Sequence, residues 1–347
     1  MRSSRAAGGE TTMVTEIRPD TAAIRDAVES ACRAPSLHNS QPWRWEWTGE
    51  RLELYAVAER MLGHTDPSGR QLVLGCGAAL HHARVALSAA SWIPTVTRLP
   101  DPSRPDLLAV LDFDRPHTVD ARDAALALAI GARHTDRRPF AAPTTLRESL
   151  VDLENAARRE GASLSILDAE ARSDLARASE LSAAIREGDE AYRQELAWWT
   201  GRAEPGDTGV PASALLDDEA AGDIDVGRRF PTGAGTLDTA QPKADASALA
   251  VLSTRADERI DWLRAGEAMS AVLLEATAAH LATCPLTHVT EIEASRGIVR
   301  TATARTGEVA GFPQVVIRLG ARSARGLPTT SRRPVDEVFV DRSGRDG

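Results

Sequence analysis

The sequence predicts an α+β fold built as two similar halves in one chain, and three observations predict it. Helical stretches alternate with a few short runs of strand-favouring residues. That order then repeats: Gly77-Ala78-Ala79-Leu80 heads a helix ending at Ile93-Pro94, and Gly266-Glu267-Ala268-Met269 heads a helix ending at Cys284-Pro285. Each leads to a hydrophobic strand, LLAVLDF and FPQVVIRL, and upstream AVESACRAPS and LENAARREGA are both helix ends followed by strand. Two copies make a pseudo-dimer, with the two-fold interface kept inside one chain, rather than a solenoid. The halves span about residues 16–125 and 126–347.

Residues 21–32 have helical spacing, and Pro35 follows as a stop. WRWEW and RLELYAV alternate and read as a hairpin. DPSGR, 66–70, is a turn feeding the helical GCGAALHHARVALSAA of 75–90. LLAVLDFD, 107–114, is a strand, and a helix runs from near Asp120 to Ile130. LRESLVDLENAARREG is helical and stops at Gly161, before the strand ASLSILD. The stretch from Ala171 to Trp199 is one long helical pattern or two helices. Residues 200–247 are rich in Gly, Pro, Asp and Ala and show little periodicity. ALAVLST is a strand, WLRAGEAMSAVLLEATAAHLAT a strong helix, FPQVVIRLG a strand, and a Pro/Arg-rich tail closes the chain.

The halves differ in one respect. From first strand to twin helix takes about 22 residues in the first half, Tyr55 to Gly77, and about 98 in the second, Asp168 to Gly266. The second half therefore holds an insertion of about 75 residues, around 170–247, of a length typical of active-site lids.

The 347 residues are 42% apolar and 26% charged, the composition of a globular protein with a sizeable core. A net charge of −9 argues against a general nucleic-acid binder, which needs a basic surface. No run of about 18 apolar residues reads as a membrane span. Residues 1–15 are small and polar and lack the apolar block of a signal peptide, so they read as a disordered tail on a cytoplasmic protein. Cys32, Cys76 and Cys284 lie far apart and read as buried free thiols.

Three segments could carry chemistry. RAPSLHNSQPWRWEW, 33–47, sets Ser36, His38, Asn39 and Gln41 in non-helical backbone after Pro35, where side chains and amides can converge on one flat, heteroatom-rimmed ring. The plainer alternative is a capped turn, with Trp43, Trp45 and Trp47 as packing. GARHTDRRPF puts Arg133, Thr135, Arg137 and Arg138 within six residues, and guanidinium forks with hydroxyls suit phosphate oxygens. PTTSRRPVDEVF carries Arg332 and Arg333 between a turn and a strand-like tail. Taken alone, the first arginine block reads as a solvated charge cluster and the second as a surface pair. His81 and His82 are adjacent, point about 100° apart on a helix and cannot chelate one metal together, so they read as helix-surface or core residues. His38, His64, His117 and His134 are scattered without companion ligands for zinc. Ser36 with His38 lacks a GxSxG elbow for hydrolysis, and Asp217–Asp225 reads as a solvated acidic stretch.

Together these segments resemble the FMN-dependent nitroreductase family, and more closely the Acg family of nitroreductase-like proteins of actinobacteria. The blocks RAPSLHNSQPWRW, DPSGRQLVLGCGAAL, RLPDP, RHTDRRPF, WLRAGEAM, CPLTHVTEIEASR, PQVVIRLG and RRPVDEVF carry the likeness over about residues 25–340. APSxHNxQPW is its specific part; the arginine blocks are individually weak. The resemblance implies a nitroreductase-like fold whose two halves mimic the family's homodimer. It implies that Arg133, Thr135 and Arg137 hold the FMN phosphate and ribityl chain, with Arg332 and Arg333 as a second basic pair on the phosphate. Pro35, Ser36, His38 and Asn39 match the loop that meets the flavin ring, and Gln41-Pro42-Trp43 closes that loop. Thr290 and Glu291 fall near a segment that approaches flavin N5, though their spacing differs.

The arginine motif opens the second half alone, and the Pro-Ser loop occurs in the first alone. One complete site can therefore form, with one FMN per chain, and a monomer suffices. The absence of a GxGxxG turn agrees, because this fold does not use one. The resemblance implies an oxidoreductase carrying hydride from NAD(P)H through FMN to a nitro compound or quinone. The alternative is a protein that stores FMN under a lid, with Trp198 or Trp199 filling the substrate space. A third class, a protein-interaction domain without flavin, is separated by whether the protein is yellow.

Overall fold

The computed structural model describes residues 18–113, 116–202, 208–237, 244–306 and 311–344; the expected tail at 1–15 lies outside them. The first helix, α1 (Thr21–Ala31), starts where the Asp20 carboxylate accepts the Ala23 amide at 2.7 Å. It buries Ile24, Ala27, Val28 and Ala31, the i, i+3, i+4, i+7 stripe of an amphipathic helix. Strands β1 (Trp43–Trp47) and β2 (Arg51–Ala56) form the expected hairpin, Trp43 opposite Ala56 and Trp47 opposite Leu52. Trp43, Trp45 and Trp47 share the inner face and are at most 2% exposed, so the tryptophans are core and not a binding surface.

Helix α2 (Arg70–Ala89) follows the DPSGR turn, in which Gly69 takes φ +72° and an Asp66 oxygen accepts the Leu72 amide at 2.9 Å. Short strand β3 (Thr95–Arg98) and β4 (Leu107–Asp112) complete the first half. Helix α3 (Ala121–Ala132) opens on a reciprocal capping box between Asp120 and Asp123. Helix α4 (Leu146–Arg159) ends ahead of Gly161 at φ +84° and leads to β5 (Ser163–Ile166). The long helical pattern is two helices, α5 (Ala169–Glu187) and α6 (Glu190–Trp199), separated at Gly188 and capped anew by Asp189. The chain continues through β6 (Thr200–Arg202), β7 (Val210–Pro211) and α7 (Asp218–Gly222) to β8 (Ala248–Thr254). Then come α8 (Arg259–Ala278), β9 (Leu281–Leu286), α9 (His288–Glu291), α10 (Glu293–Ala304), β10 (Phe312–Ala321), α11 (Val335–Val338) and β11 (Phe339–Asp341).

Two expectations need correction. The twin helices stop earlier than their sequences suggest, at Ala89 and Ala278, and LATCPL is the strand β9 rather than a helix end. Both helices leave through a left-handed residue, Ser91 at φ +70° and His280 at φ +60°; β9 follows His280 directly, and β3 begins at Thr95. Pro285 is tolerated because β9 lies at a sheet edge.

The repeat is a repeat of topology. One sheet runs β11-β1-β2-β4-β3 and the other β5-β8-β10-β9, so the four strands of each half stand in the same order. Neighbours within these two sheets are antiparallel except β11, which adds parallel to β1 and so completes the first half's sheet; β6 and β7 form a separate, parallel two-stranded sheet. Helices α2 and α8 pack between the sheets. A Cβ on Gly77 would lie 2.1 Å from the Leu263 carbonyl oxygen, and one on Gly266 2.0 Å from that of Leu74. These reciprocal contacts mark a local two-fold, and only glycine permits the approach. Helix α2 has the length and composition of a membrane span, but 78% of that stretch is buried inside the protein.

Candidate functional site

The Pro-Ser loop is held against α2. Ser36 Oγ accepts the Gln41 amide at 2.9 Å, which closes the loop on itself. It lies so near Gly75 that a Cβ there would sit 3.2 Å from Ser36 Cβ. His38, Asn39 and Gln41 have φ of +47°, +57° and +49°, left-handed positions without glycine on either side of right-handed Ser40, costly for each residue. Asn39 Nδ2 donates to the carbonyls of Gly209 (3.2 Å) and Ser331 (3.0 Å). Gln41 is fully buried and structural: its Oε1 accepts the Arg333 amide at 2.9 Å and its Nε2 donates to Asn39 O at 3.3 Å.

The arginine motif leaves α3 in extended backbone, where alternate residues face opposite ways. Arg133, Thr135 and Arg137 line one wall, while Arg138 turns away to a buried ion pair with Asp136 at 2.7 Å. Two adjoining cavities lie between this wall and the loop, of about 760 and 240 Å³. Pro35, Ser36, Thr135 and Arg137 line both. The loop and the arginine motif, distant in sequence, thus meet at one place.

The smaller cavity is cationic. Arg33, Arg133 and Arg332 line it, with Asn39 and His134. Arg133 Nη2 and Arg332 Nη2 both donate to Arg33 O, at 3.1 and 3.3 Å, and Arg332 Nη1 donates to the carbonyls of Thr330 and Ser331. The buried Nε and Nη1 of Arg133 and Nε of Arg332 have no partner among the described residues. Burial, then the neighbouring cations Arg332 and Arg33, push Arg133 down to about 9, and burial with Arg33 pushes Arg332 down to about 10. Buried guanidiniums without a carboxylate are costly, and an anion among them would relieve that cost.

In the larger cavity Arg318 and Arg228 are matched by carboxylates, while Arg137 donates to the Ala214 carbonyl at 3.0 Å and has no carboxylate partner among the described residues. Arg318 pairs with Asp245 at 2.7 Å and Arg228 pairs with Glu291 and donates to Tyr192 Oη at 2.9 Å. Both pairs are buried, and Phe230 adds a ring that meets His38 edge-on at 6.1 Å and Arg137 at 5.6 Å. Burial, then Arg228 and Arg137, holds His38 well below the usual imidazole range, so it is neutral. Asp218, Asp223 and Asp225 are exposed at the rim, Asp225 in an ion pair with Arg172.

Several expectations change. Arg333 lines neither cavity: it precedes Pro334 in extended chain, so its side chain points opposite to that of Arg332 and engages Glu337 and the Gln41 carbonyl. Thr290 and Glu291 also stay outside both cavities, Thr290 Oγ1 bonded to Thr287 O and Gln314 O, Glu291 bound by Arg228. Trp198 is 67% exposed and Trp199 lines neither cavity; the aromatic ring there is Phe230. Arg33, Arg228, Phe230 and Arg318 were not legible in the sequence. Arg33 and Arg318 fall inside the RAPSLHNSQPWRW and PQVVIRLG blocks, but nothing in those blocks singles them out. His81 and His82 are core residues that share the Ser270 hydroxyl, each at 2.8 Å, and the three cysteines are buried and unpaired.

A sequence model of the nitroreductase family matches residues 15–320. The chain is 42% identical over 330 residues to "Putative NAD(P)H nitroreductase acg" of Mycobacterium tuberculosis (strain ATCC 25618 / H37Rv), covering 94% of this chain and 97% of that protein. It is 41% identical to "Uncharacterized protein Rv3127" of the same strain, covering 91% and 92%. Among solved structures, the FMN-dependent nitroreductase NfnB from Mycobacterium smegmatis in complex with NADPH is 15% identical, with TM-score 0.38 over 62% of this chain and 97% of that one. A nitroreductase with bound FMN from Bacteroides fragilis NCTC 9343 is 12% identical, with TM-score 0.37 over 60% and 94%. With a family match running through both halves and close sequence kinship to Acg over almost the whole of each chain, the molecule belongs to the nitroreductase family, in its Acg branch.

Proposed function

We propose that the chain is a nitroreductase-like oxidoreductase that holds one FMN between its halves and passes hydride from NAD(P)H to a small acceptor such as a nitro compound or a quinone. The single observation that carries this reading is the pair of joined cavities. One is small and lined by buried arginines without carboxylates; the other is large, and its Arg228 and Arg318 are paired with carboxylates. A phosphorylated, flat cofactor has the same two parts. Arg133 and Arg332 would bind the phosphate through their unpartnered N–H groups, with Arg33 adding charge. Thr135 and Arg137, which line both cavities, would span the chain between phosphate and ring. Pro35 and Ser36 would flank the ring from the first half, their loop fixed by the Ser36–Gln41 bond. When bound, the flavin supplies the hydride chemistry itself, and the protein supplies position and field.

The segment 208–237 walls both cavities, and the Arg228–Glu291 pair fastens it to the body. That observation favours a second reading, a store in which this segment is a lid that keeps reductant from the flavin. Anaerobic addition of NADPH or NADH to the FMN-loaded protein separates the two. Rapid loss of the flavin absorbance supports the oxidoreductase. Loss with dithionite alone supports storage.

A further inference from the structure

The loop that bounds both cavities sends two adjacent polar side chains to different ones. Asn39 lines the small, cationic cavity and His38 the large one. The division depends on the two left-handed residues in succession, φ +47° and +57°, a conformation that packing must enforce because neither residue is glycine. His38 is 6% exposed, and its Nε2 is buried without a partner among the described residues. An unmet buried nitrogen costs free energy that a ligand's hydrogen bond would recover. The charged groups that bear on the ring are Arg228 and Arg137, both cations, and Glu291, the carboxylate beside them, is engaged by Arg228. Nothing there favours an imidazolium, so His38 offers one neutral N–H and not a mobile proton. The Phe230 ring stands against it at 73°, giving a polar point beside an aromatic surface. The cavity, at about 760 Å³, is in the upper part of the range for sites that bury a whole small molecule.

We propose that His38 positions the electron acceptor: its neutral Nε2–H donates to a carbonyl or nitro oxygen of a flat, uncharged aromatic molecule held beside Phe230. This rests on the flavin reading above, with the phosphate and ribityl chain gripped by the other compartment. His38 is then a specificity residue, selecting acceptors that carry an oxygen at the ring edge over plain hydrocarbons of the same shape.

The test is equilibrium binding of 1,4-naphthoquinone to the oxidised, FMN-loaded protein, where no electron transfer occurs, with naphthalene as the shape control. In His38→Phe, which keeps a ring against Phe230, naphthoquinone affinity should fall about tenfold, the worth of one lost buried hydrogen bond, while naphthalene affinity is unchanged. His38→Gln, whose amide nitrogen reaches the place of Nε2, should restore affinity to within about threefold of wild type, a residue of under 1 kcal/mol. His38→Asn, which suits the left-handed backbone but falls short, should behave like Phe and guards against loss of folding. Unchanged naphthoquinone affinity in His38→Phe, equal losses for quinone and hydrocarbon, or wild-type FMN-loaded protein that binds no naphthoquinone would overturn the proposal. So would loss of flavin from His38→Phe with quinone affinity intact, which would assign His38 to the cofactor wall. A wild-type protein that takes up no FMN defeats the flavin reading itself, and flavin content is read separately in every sample.

Discussion

The two sides of the α2–α8 interface began from one plan and were finished in opposite ways. On one side Gly75 leaves room for the Ser36 loop, β9 ends at the cavity, and arginines stand without carboxylates. On the other, Arg264 holds the place corresponding to Gly75 and packs against Gly161, and Glu267, fully buried, holds that of Ala78. Arg98 at the end of β3 holds the place of Thr287, and it meets Glu267 at 2.6 Å; Arg84 meets Glu267 at 2.8 Å and Glu160 at 2.7 Å. Where one side keeps a space for an anion to enter, the other has brought its own anions. The difference teaches that two equivalent positions of one interface can handle buried guanidiniums differently, because an ion network satisfied within the fold needs no outside anion and guanidiniums without carboxylates are left uncompensated.

The largest expected effect is on acidification. Burial, aided by neighbouring cations, holds His38, His81, His82 and His288 well below the usual imidazole range. In the unfolded chain they take up protons below about pH 6.5; in the folded chain they do not. Their contribution is therefore complete above that pH and lost as pH falls through it, at about 1.4 kcal/mol per histidine per pH unit. Urea melts should be flat from pH 8 to 7 and lose about 5 kcal/mol by pH 5.5 if all four stay neutral. A loss of half that size would mean that the closed side behaves differently, with Glu160, 3.9 Å from His81 Nε2, retaining a charge there.

Next comes the crossing point. Gly77→Ala should destabilise by about 3 kcal/mol or more, because the new methyl would meet the Leu263 carbonyl and backbone must move. Gly75→Ala, against Ser36 Cβ at 3.2 Å, should cost much less stability and act on flavin affinity instead. Equal losses at the two would remove the distinction between a shared interface and a one-sided site.

Single charge removals should then have opposite signs on the two sides. Glu267→Gln leaves Arg84 and Arg98 short of their common carboxylate and should cost about 3 kcal/mol in urea unfolding. Arg133→Leu removes a buried cation that lacks a carboxylate, and the flavin-free protein should gain about 1 kcal/mol while losing FMN affinity. Destabilisation by both changes would contradict the contrast. The smallest effect is assigned to Arg333→Ala, whose partly exposed pair with Glu337 is worth at most about 0.5 kcal/mol and whose loss should leave the FMN dissociation constant unchanged. A tenfold weakening would return Arg333 to the phosphate wall.

Much of this was legible in the residues, for identifiable reasons. The hairpin and the capped helices follow from local periodicity, and the paired Gly77 and Gly266 blocks expose the repeat. Strand β9 was hidden because Leu281–Leu286 continues an apolar helix pattern, and the break depends on the backbone of His280 rather than on a proline or glycine. Arg133, Thr135 and Arg137 stood out as guanidiniums and a hydroxyl within a few residues, and the structure brings them, with His134, to one cavity. Arg333 was misplaced because neighbours in extended chain face apart. Arg228 and Phe230 could not be found: residues 200–247 have no period, and which side chain enters the cavity is decided by tertiary contacts such as Arg228 with Glu291.

The central claim is that one side of the interface is an anion-requiring site and its counterpart is permanently closed. Titration of flavin-free protein with FMN, followed by calorimetry in wild type and in Arg133→Leu, tests it most directly. The account predicts one FMN per wild-type chain and a collapse of that binding in Arg133→Leu. Two FMN per chain, or unchanged binding by Arg133→Leu, would contradict it.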